Sequence, residues 1–474
     1  MHRDTAFART AKTPAAVNDP SISNAQLLRR SFAFILAGGR GTRLAQLTDG
    51  QAKPAVPFGG KFRIIDFTLS NCVNSGLRRI GVATQYKAHS LIRHLARGWS
   101  FLDGRFQEFI EVMPAQQQLD DESWYRGTAD AVYQNLQFIQ RYEPAYVMIL
   151  SGDHIYKMDY GAMLASHVRS GAAVTVACTE VPVEEARPFG IMTVDAGDRI
   201  VQFNEKPAKP TPIPGNPAHA LASMGVYAFD AAALYEQLER DAMDPRSSRD
   251  FAKDVITAMV GRTHVHAHRF ADSCVGSGDS PYWRDVGTVD AFWEANMELT
   301  KVIPELDLYD ESWPVWTHQE QLPPAKFVFD DNDRRGMAVD SLVSGGCVVS
   351  GGVVRRSLLF SKVRVDNLSE IEDTVALPGV RIGTNVRIRR AVLDEGCIVP
   401  DDLSIGFNPT VDREWFHVTE RGITLVTPKM LEVLSTRRLP PGTRGADGRH
   451  ASGEDVSAYL RRQRQRPPSR VNTI

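Results

Sequence analysis

A six-residue spacing of apolar side chains is the feature that most restricts how this chain can fold. It occurs in the C-terminal part, in the two series Leu342, Val348, Val354 and Val380, Val386, Val392, Ile398. A helix has no six-residue period, whereas a hexapeptide repeat is typical of a parallel β-helix, in which each side of a triangular coil buries one apolar residue. We therefore predict a β-helix whose corners use Gly345, Gly346, Gly351, Gly352, Gly379 and Gly383. The spacing shortens to five residues between Val363 and Val375, so a β-sandwich stays open as the alternative.

The first 300 residues follow a different pattern, in which short apolar runs alternate with amphipathic segments. The spacing of Ala129, Val132, Leu136 and Ile139 predicts a helix within residues 129–142. Buried strands are predicted over Phe32–Ala37, Ile80–Thr84, Tyr146–Leu150 and Val174–Cys178. This alternation predicts an α/β fold with a mostly parallel, Rossmann-like sheet covered on both faces. Such sheets bind ligands beyond the carboxyl ends of their strands.

The length of 474 residues is enough for at least two domains. Polar, Pro-rich and Gly-rich ends flank the two patterns, and a segment containing Pro and Trp separates them. We predict a disordered arm at 1–30, the α/β domain at 31–305, a packed linker at 306–325, the β-helix at 326–438 and a disordered basic tail at 439–474.

Charge and cysteine content argue against several classes of protein. The 55 Lys and Arg residues nearly balance the 57 Asp and Glu residues, which argues against a protein that coats nucleic acid. The five cysteines are far apart without a C-x-x-C pair, so they indicate neither a disulfide framework nor a zinc site, and they favour a reducing compartment. The apolar runs are shorter than a membrane span. We expect a cytoplasmic protein that binds neither nucleic acid nor a membrane.

A glycine-rich, basic loop follows the first predicted strand. Gly38, Gly39 and Gly41 allow the backbone to approach a ligand closely, and their free N–H groups can hold phosphate oxygens. The loop matches neither usual phosphate-binding motif, because it lacks both G-x-G-x-x-G and a G-K-[ST] end. Its cations outnumber the single acid Asp49 and suit a polyphosphate; they are Arg40, Arg43, Lys53, Lys61 and Arg63.

Acidic residues and one lysine mark three further positions. Asp153 comes directly after the strand ending at Leu150, where a carboxylate can bind Mg²⁺ together with substrate phosphates, although such an Asp often only caps the next helix. Lys206 precedes a proline that extends its backbone, and it offers a point charge to a phosphate. Asp285 is a candidate second metal ligand, but the sequence alone favours its pairing with Arg284.

Together these segments resemble a known family. The loop LAGGRGTRLAQLTDGQAKPAVPFGG resembles the sugar nucleotidyltransferases. The motifs TQYKAHSL, WYRGTADAV, LSGDHIYKMDY, FNEKP, LASMGVYAF, PYWRDVGT, PPAKFV and SLVSGGCVVSG resemble the bacterial glucose-1-phosphate adenylyltransferases. The resemblance runs from about Phe34 to about Lys429. It implies a nucleotidyltransferase domain followed by a left-handed parallel β-helix, and an allosterically regulated homotetramer that performs the first committed step of glycogen synthesis.

The resemblance also implies roles for individual residues. The reaction would join ATP and glucose 1-phosphate into ADP-glucose and diphosphate, with Mg²⁺ held by Asp153 and Asp285. Asp153, Arg43 and Lys53 would be catalytic. The implied nucleotide contacts are Gly38, Gly39, Arg40, Arg43, Lys53, Gln85, Gly127 and Asp130. The implied glucose 1-phosphate contacts are Tyr125, Gly190, Glu205, Lys206 and Ser223.

Regulation is where this chain departs from the enteric enzymes that it resembles. Those enzymes bind a fructose bisphosphate through basic residues, at positions that read Gly50-Gln51 and Glu414-Trp415 here. Two phosphates need several cations, so the loss weakens a bisphosphate site. The remaining candidate cluster is Arg63, Arg387, Arg389 and Arg390, enough for one phosphate. We expect activation by an anionic sugar monophosphate such as fructose 6-phosphate, with pyruvate as a further candidate activator, and inhibition by AMP or phosphate.

Several alternatives stay open at this point. The enzyme could use UTP, dTTP or GTP, or the chain could be a non-catalytic regulatory subunit, although Asp153 and Lys206 are both present. An acyltransferase is disfavoured, because no histidine lies between Leu342 and Asn408. His264, His266 and His268 alternate along a strand, where we expect an exposed face rather than a transition-metal site.

Overall fold

The computed structural model describes residues 23–39, 41–115, 124–276, 281–331 and 334–436. The strands of its first part are β1 (Ser31–Leu36), β2 (Pro57–Phe58), β3 (Phe62–Arg63), β4 (Arg79–Thr84), β5 (Phe109–Pro114), β6 (Tyr146–Ser151), β7 (Ile155–Tyr156), β8 (Val174–Pro182), β9 (Gly190–Val194), β10 (Ile200–Glu205), β11 (His219–Asp230), β12 (Val265–Arg269) and β13 (Trp283–Arg284). The four strands predicted from apolar runs correspond to β1, β4, β6 and β8, so those predictions are confirmed.

The helices are α1 (Asn24–Arg29), α2 (Ile64–Ser75), α3 (His89–Gly98), α4 (Thr128–Gln134), α5 (Leu136–Arg141), α6 (Tyr160–Ser170), α7 (Ala231–Met243), α8 (Thr257–Met259), α9 (Val289–Glu298), α10 (Pro409–Asp412) and α11 (Pro428–Thr436). The helix predicted within 129–142 is present as α4 and α5, which meet at Asn135. Its predicted apolar face is buried as expected, at Ala129, Val132, Leu136 and Ile139.

A mostly parallel sheet forms the centre of the first part. β5, β4, β1 and β6 lie side by side in parallel, with Ile35 paired to Val82 on one side and to Leu150 on the other. β11 continues the sheet antiparallel to β6, and β8 and β12 follow as a parallel pair. The carboxyl ends of β1, β4 and β6 therefore meet at one edge, where the glycine loop, Gln85 and Asp153 follow.

The second part is a parallel β-helix. Its strands are β14 (Lys326–Val328), β15 (Asp330–Asp331), β16 (Arg334–Arg335), β17 (Met337–Val339), β18 (Leu342–Val343), β19 (Val348–Ser350), β20 (Val353–Arg355), β21 (Leu358–Leu359), β22 (Arg364–Val365), β23 (Glu370–Ala376), β24 (Arg381–Ile382), β25 (Arg387–Leu393), β26 (Ile398–Val399), β27 (Ser404–Ile405), β28 (His417–Val418) and β29 (Thr424–Val426). Parallel ladders form the three sides, and β23 and β25 each turn a corner from one side to the next. The predicted β-helix is confirmed, which excludes the β-sandwich.

The coil length explains why the six-residue spacing is imperfect. Arg364 pairs with Arg381, which pairs with Ile398, so each of these coils contains 17 residues instead of 18. Val380, Val386 and Val392 are fully buried as predicted. Ile398 is 65% exposed, because the shorter coil turns Cys397 and Val399 inward in its place. The prediction of an inward Ile398 is therefore wrong.

The two parts are packed on each other through α9 and the segment before the coil. Trp293 of α9 donates a hydrogen bond from Nε1 to the carbonyl oxygen of Asp373 (2.9 Å), at a corner of the β-helix. The segment predicted as a packed linker lies along α2, where Thr317 donates to the buried carboxylate of Asp66 (2.7 Å). The same carboxylate accepts from Trp99 and contacts His94, so one buried acid joins three segments.

Two predictions about the first part need correction. Residues 24–29 belong to the arm predicted as disordered, but they form α1, which begins with a capping box at Ser23 and buries Leu27 and Leu28. The histidine face of β12 is covered by α6, and His268 is buried with its Nε2 atom 2.9 Å from the Ser273 hydroxyl. The alternation of the histidines gave no signal of this cover. Residues 1–22 and the predicted tail at 439–474 lie outside the described residues.

Candidate active site

The glycine loop lines one side of a cleft of about 840 Å³ at the carboxyl edge of the sheet. Gly41 has φ +64°, and a β-carbon there would lie 2.8 Å from the β-carbon of Lys53, so the turn requires glycine. Arg40 lies outside the described residues. Eight of the site residues that the resemblance implies line the cleft, namely Gly38, Gly39, Arg43, Lys53, Gln85, Tyr125, Gly127 and Asp153.

Lys53 links the two predicted metal ligands. Its ammonium nitrogen lies 3.0 Å from Asp153 Oδ2 and 2.6 Å from Asp285 Oδ1. The second oxygen of each carboxylate is also occupied, since Ser151 Oγ donates to Asp153 (2.5 Å) and Arg43 Nη2 to Asp285 (3.3 Å). Residues that are 232 positions apart in the chain thus form one charge cluster.

Asp285 does not pair with Arg284, contrary to the expectation from sequence. Asp285 directly follows β13, and its carboxylate contacts Lys53 and Arg43. Arg284 turns to Glu305, at 3.3 Å, and lies over the ring of Tyr282. Sequence adjacency made Arg284 the obvious partner, but the folded chain brings Lys53 to Asp285 instead.

The cluster keeps both carboxylates ionised. Burial is the largest effect and opposes the charged form of each. The positive charge of Lys53 and the hydrogen bonds to the carboxylates together outweigh it, so the pKa of Asp153 and that of Asp285 lie below their usual range. Burial alone would lower the pKa of Lys53, whereas the two carboxylates raise it above its ordinary value. The pair is therefore doubly negative and is balanced by Lys53 and Arg43.

The donor atoms at this position fit a divalent cation. One ligand atom each from Asp153, His154 and Asp285 lies within 4.8 Å of the others. Carboxylate oxygens are the donors that Mg²⁺ prefers, and the ammonium of Lys53 shows that a cation is stabilised between them. Within the described part of the chain, His154 Nδ1 is buried without a hydrogen-bond partner.

The opposite wall of the cleft holds Gln85 and Tyr125. Gln85 Nε2 donates to the Tyr125 carbonyl oxygen (3.1 Å), which fixes the orientation of the amide. A β-carbon at Gly38 would lie 3.1 Å from the β-carbon of Gln85, so loop and glutamine are in close contact. The Tyr125 hydroxyl accepts from Asn135 (2.9 Å). Tyr125 lies beside Gln85 in this cleft, although the resemblance assigned it to glucose 1-phosphate.

The turn at Gly127 is held by a segment around Arg249, which no sequence pattern singled out. Ala129 N donates to the Arg249 carbonyl oxygen (2.8 Å), and Phe251 N donates to Thr128 Oγ1 (2.7 Å). The carboxylate of Asp130 is buried and accepts from Arg126 N (2.9 Å), so it supports the turn and does not line the cleft.

The remaining predicted sugar-phosphate residues lie together on β9, β10 and β11. Gly190 pairs with Glu205, and a β-carbon at Gly190 would lie 2.5 Å from the ring of Phe203. Lys206 has φ +47°, is largely exposed, and places its ammonium 2.8 Å from Glu205 Oε1. Ser223 is buried in β11 and accepts a hydrogen bond from Gly225 N (3.3 Å).

Aromatic contacts connect this group to the acidic pair. Trp283 has its ring 5.1 Å from the ring of His154 and 5.1 Å from the ring of Phe189. Phe189 in turn accepts a backbone hydrogen bond from Lys206 N (3.1 Å). The motif PYWRDVGT contains Trp283, but its type and position gave no signal of this bridging role.

The comparisons with known proteins agree with this arrangement. The chain matches the family described as nucleotidyl transferase over residues 32–302 and the GlmU-like C-terminal hexapeptide family over residues 323–426. It is 64% identical over 406 residues to a glucose-1-phosphate adenylyltransferase of Dechloromonas aromatica, covering 85% of this chain and 92% of that protein. This chain belongs to the glucose-1-phosphate adenylyltransferase family. Family proteins of Nitrosospira multiformis and Nitrosomonas europaea are 62% and 63% identical, over 86% and 85% of this chain and 96% and 94% of their own lengths.

The family assignment confirms the resemblance, but it leaves the predicted effector arginines untested. Arg63 caps α2 and donates to Gln51 Oε1 and to the Ala55 carbonyl oxygen. The other three lie on β25. Arg387 and Arg389 point to acids of the preceding coil, Glu370 (3.6 Å) and Glu372 (3.7 Å), and Arg390 lies over the ring of Trp293. Each of the four therefore has partners of its own in the part of the chain that is described.

The length and hydropathy of the helices bear on membrane insertion. Among the described residues, none of the helices has the length and apolar character needed to cross a bilayer.

Proposed function

We propose that this protein transfers the adenylyl group of ATP to glucose 1-phosphate. A phosphate oxygen of glucose 1-phosphate forms a bond to the α-phosphorus of ATP, the bond from that phosphorus to the bridging oxygen breaks, and diphosphate leaves with ADP-glucose as the second product. The observation that carries the proposal is the ion cluster of Lys53, Asp153 and Asp285 in a glycine-lined cleft of a chain 64% identical to a named glucose-1-phosphate adenylyltransferase.

The nucleotide would be held by the loop and the opposite wall. Gly38 and Gly39 line the cleft beside Arg43, and their backbone N–H groups and the guanidinium would bind the triphosphate. Arg43 is more than half exposed, so its guanidinium can leave Asp285 for a phosphate with a small desolvation cost. The fixed amide of Gln85 marks the side on which the base would lie.

We assign Asp153 and Asp285 as the ligands of Mg²⁺. When bound, the ion would neutralise phosphate charge and polarise the phosphoryl oxygens. The two carboxylates remain ionised because of the surrounding cations, which is the state that a metal requires. Lys53 adds a further positive charge on the same side of the cleft, where the negative charge of the leaving diphosphate would grow.

The sugar phosphate would bind at Gly190, Glu205, Lys206 and Ser223. The Lys206 ammonium offers a point charge to the phosphate, and the carboxylate of Glu205 accepts hydrogen bonds from sugar hydroxyls. The attacking oxygen belongs to a phosphate that is ionised at neutral pH, so no general base is needed. Catalysis then depends on bringing two anions into line among positive charges.

Product analysis tests this proposal. The purified protein is incubated with Mg²⁺, glucose 1-phosphate and, in separate reactions, ATP, UTP, dTTP or GTP, and the sugar nucleotides are separated by chromatography. We expect ADP-glucose to predominate and Asp153→Asn to reduce its formation by roughly 10²–10³-fold. Predominance of another sugar nucleotide would assign a different nucleotide substrate. If the folded wild-type protein forms no sugar nucleotide with any of the four nucleotides, the result would favour a regulatory subunit.

Regulation and assembly belong to the same proposal. We propose a cytoplasmic homotetramer that is activated by an anionic sugar monophosphate and inhibited by AMP or phosphate. The support is the position of Arg390, whose guanidinium lies over the ring of Trp293 where α9 contacts β23 and β25. Arg387 and Arg389 lie on the same strand, and Arg63 is the fourth candidate. Activity titrations with fructose 6-phosphate and fructose 1,6-bisphosphate test it, and a stronger response to the bisphosphate contradicts it.

A further inference from the structure

The ammonium of Lys53 lies where a metal ion would have to bind. Its distances of 3.0 Å to Asp153 Oδ2 and 2.6 Å to Asp285 Oδ1 leave no room between the same two oxygens for a cation with Mg–O bonds of about 2.0–2.1 Å. The side chain of Lys53 is 5% exposed, so water does not screen its charge effectively. A divalent ion bound between these two oxygens and this ammonium therefore exclude each other.

The surrounding structure holds Lys53 in this position. The residue begins a short 3-10 turn, Lys53–Ala55, in which Pro54 restricts the backbone, and its β-carbon packs against Gly41 of the glycine loop. Ser151 and Arg43 bind the outer oxygens of the two acids and fix the carboxylates around the ammonium. The cluster is electrically balanced, with two acids against two bases.

We propose that Lys53 acts as a latch on the metal site, holding Asp153 and Asp285 together until metal and nucleotide arrive and then moving to the phosphates. This inference rests on the proposed function, because it takes the two acids as the metal ligands and a nucleotide triphosphate as the new partner of Lys53. A metal alone would have to displace the ammonium without offering it another anion. When the metal arrives with a triphosphate, the phosphates become the new anionic partner of the ammonium. They would lie a short distance away, because Lys53 lines the cleft.

The consequence is that metal and nucleotide bind cooperatively. Two ligands bind cooperatively when the first lowers the free energy needed to bind the second. Here both the metal and the triphosphate favour moving the Lys53 ammonium away from the two acids, so either ligand makes binding of the other easier. The free protein should bind a divalent ion weakly, although it has two ionised carboxylates side by side. A protein without the ammonium should bind the ion more tightly, because the bare pair of acids is repulsive and has no other counter-ion between them.

Mn²⁺ is a suitable probe, because electron paramagnetic resonance counts free ions directly and needs no catalytic turnover. In the absence of nucleotide, we expect the full-length K53Q variant to bind Mn²⁺ at least about tenfold more tightly than wild type does. The reason is that the variant lacks the positive charge that competes with the ion for the two carboxylates. K53R retains the positive charge and should bind Mn²⁺ no more tightly than wild type. K61Q is the matched control, since it removes an exposed lysine of the same loop that lies over the Phe62 ring.

Each outcome decides the proposal. Equal or weaker Mn²⁺ binding by folded K53Q overturns it, as does a gain in affinity that persists after Asp153→Asn is added. If K53Q does not fold by circular dichroism, K53M replaces it, because its unbranched side chain preserves the buried stem. If wild type makes ADP-glucose but K53Q shows no gain in Mn²⁺ affinity, the latch is refuted and the proposed function stands. If wild type makes no ADP-glucose in the product assay, the proposed function itself fails.

Discussion

The carbonyl oxygen of Arg249 lies 2.2 Å from the place where a β-carbon on Gly127 would be. Gly127 forms the turn that lines the cleft, and Arg249 belongs to a segment about 120 residues later in the chain. The nucleotide wall is thus shaped by a close approach between two backbones. Only glycine allows this approach, because any side chain would push the two segments apart.

Gly127→Ala should therefore open the turn and weaken nucleotide binding. We expect a loss of about 1–3 kcal/mol in the free energy of unfolding, since the added methyl group meets backbone atoms that cannot rotate away. The KM for ATP should rise more than the KM for glucose 1-phosphate. Urea unfolding and steady-state kinetics measure both effects. Gly104→Ala is the control, because nothing lies within 4 Å of its β-carbon, and equal effects of the two substitutions would contradict the prediction.

Lys206→Met should separate binding of the sugar phosphate from binding of ATP. Removing a charge that contacts one substrate should raise the KM for glucose 1-phosphate by roughly 10–100-fold, as expected for a lost charge-assisted contact, with a much smaller change in the KM for ATP. Initial-rate measurements with each substrate varied in turn distinguish the two. Lys209→Met removes a nearby exposed lysine and should leave both values unchanged. A KM for glucose 1-phosphate that stays constant in Lys206→Met would remove this residue from the site.

Asp394 should make stability depend on pH. Burial, with the charges of Glu395 and Asp49 nearby, raises the pKa of Asp394 to about 7. An unfolded aspartate titrates near 4, so between about pH 4 and pH 7 the folded protein retains a proton that the unfolded chain has released. Raising the pH through this window therefore lowers the free energy of unfolding.

Asp394→Asn should remove that dependence. The asparagine retains an oxygen for the hydrogen bond from Glu395 N (2.8 Å) and cannot ionise. At pH 8 the variant should be more stable than wild type by about 1–4 kcal/mol, and the two should converge towards pH 4. Denaturant unfolding across this pH range measures the difference. The exposed Asp340 supplies the control Asp340→Asn, and a stability gap for Asp394→Asn that is the same at pH 5 and pH 8 would refute the assignment.

Gly406 and Gly422 offer a matched test of packing in the β-helix. Both have positive φ, +84° and +80°, so alanine strains the backbone similarly at each. At Gly406 a β-carbon would also lie 1.7 Å from the Arg389 carbonyl oxygen, whereas nothing lies within 4 Å at Gly422. We expect Gly422→Ala to cost about 1 kcal/mol and Gly406→Ala about 3 kcal/mol or more in thermal unfolding. Similar melting temperatures for the two variants would contradict the role of this close contact.

The sequence predicted those features that depend on local patterns. Apolar runs located β1, β4, β6 and β8, and the six-residue spacing located the coil, because both patterns reflect which side chains face a core. The same reasoning failed at Ile398, where a 17-residue coil shifts the inward position by one residue. Periodicity reports the average repeat and does not show which side of a coil is one residue shorter.

For the site, the sequence identified Lys53, Asp153 and Asp285 by residue type and position but not their mutual contact. The contact joins positions 100 and 232 residues apart, and the nearer charge, Arg284, was the expected partner of Asp285. Trp283 and Arg249 were missed for another reason. One acts through its ring and the other through its backbone, and neither role requires a chemically distinctive side chain.

The helix α9 begins four residues after Asp285, and its Trp293 is anchored to the coil corner at Asp373. The same helix presents Asp290 to Thr419 near the far end of the coil (2.6 Å). A fragment that ended before the coil would retain every side chain assigned to a substrate. It would nevertheless lack the β-helix contacts that hold α9, the helix that follows Asp285. The β-helix is therefore needed to position one of the two acids, although it contributes no side chain assigned to a substrate.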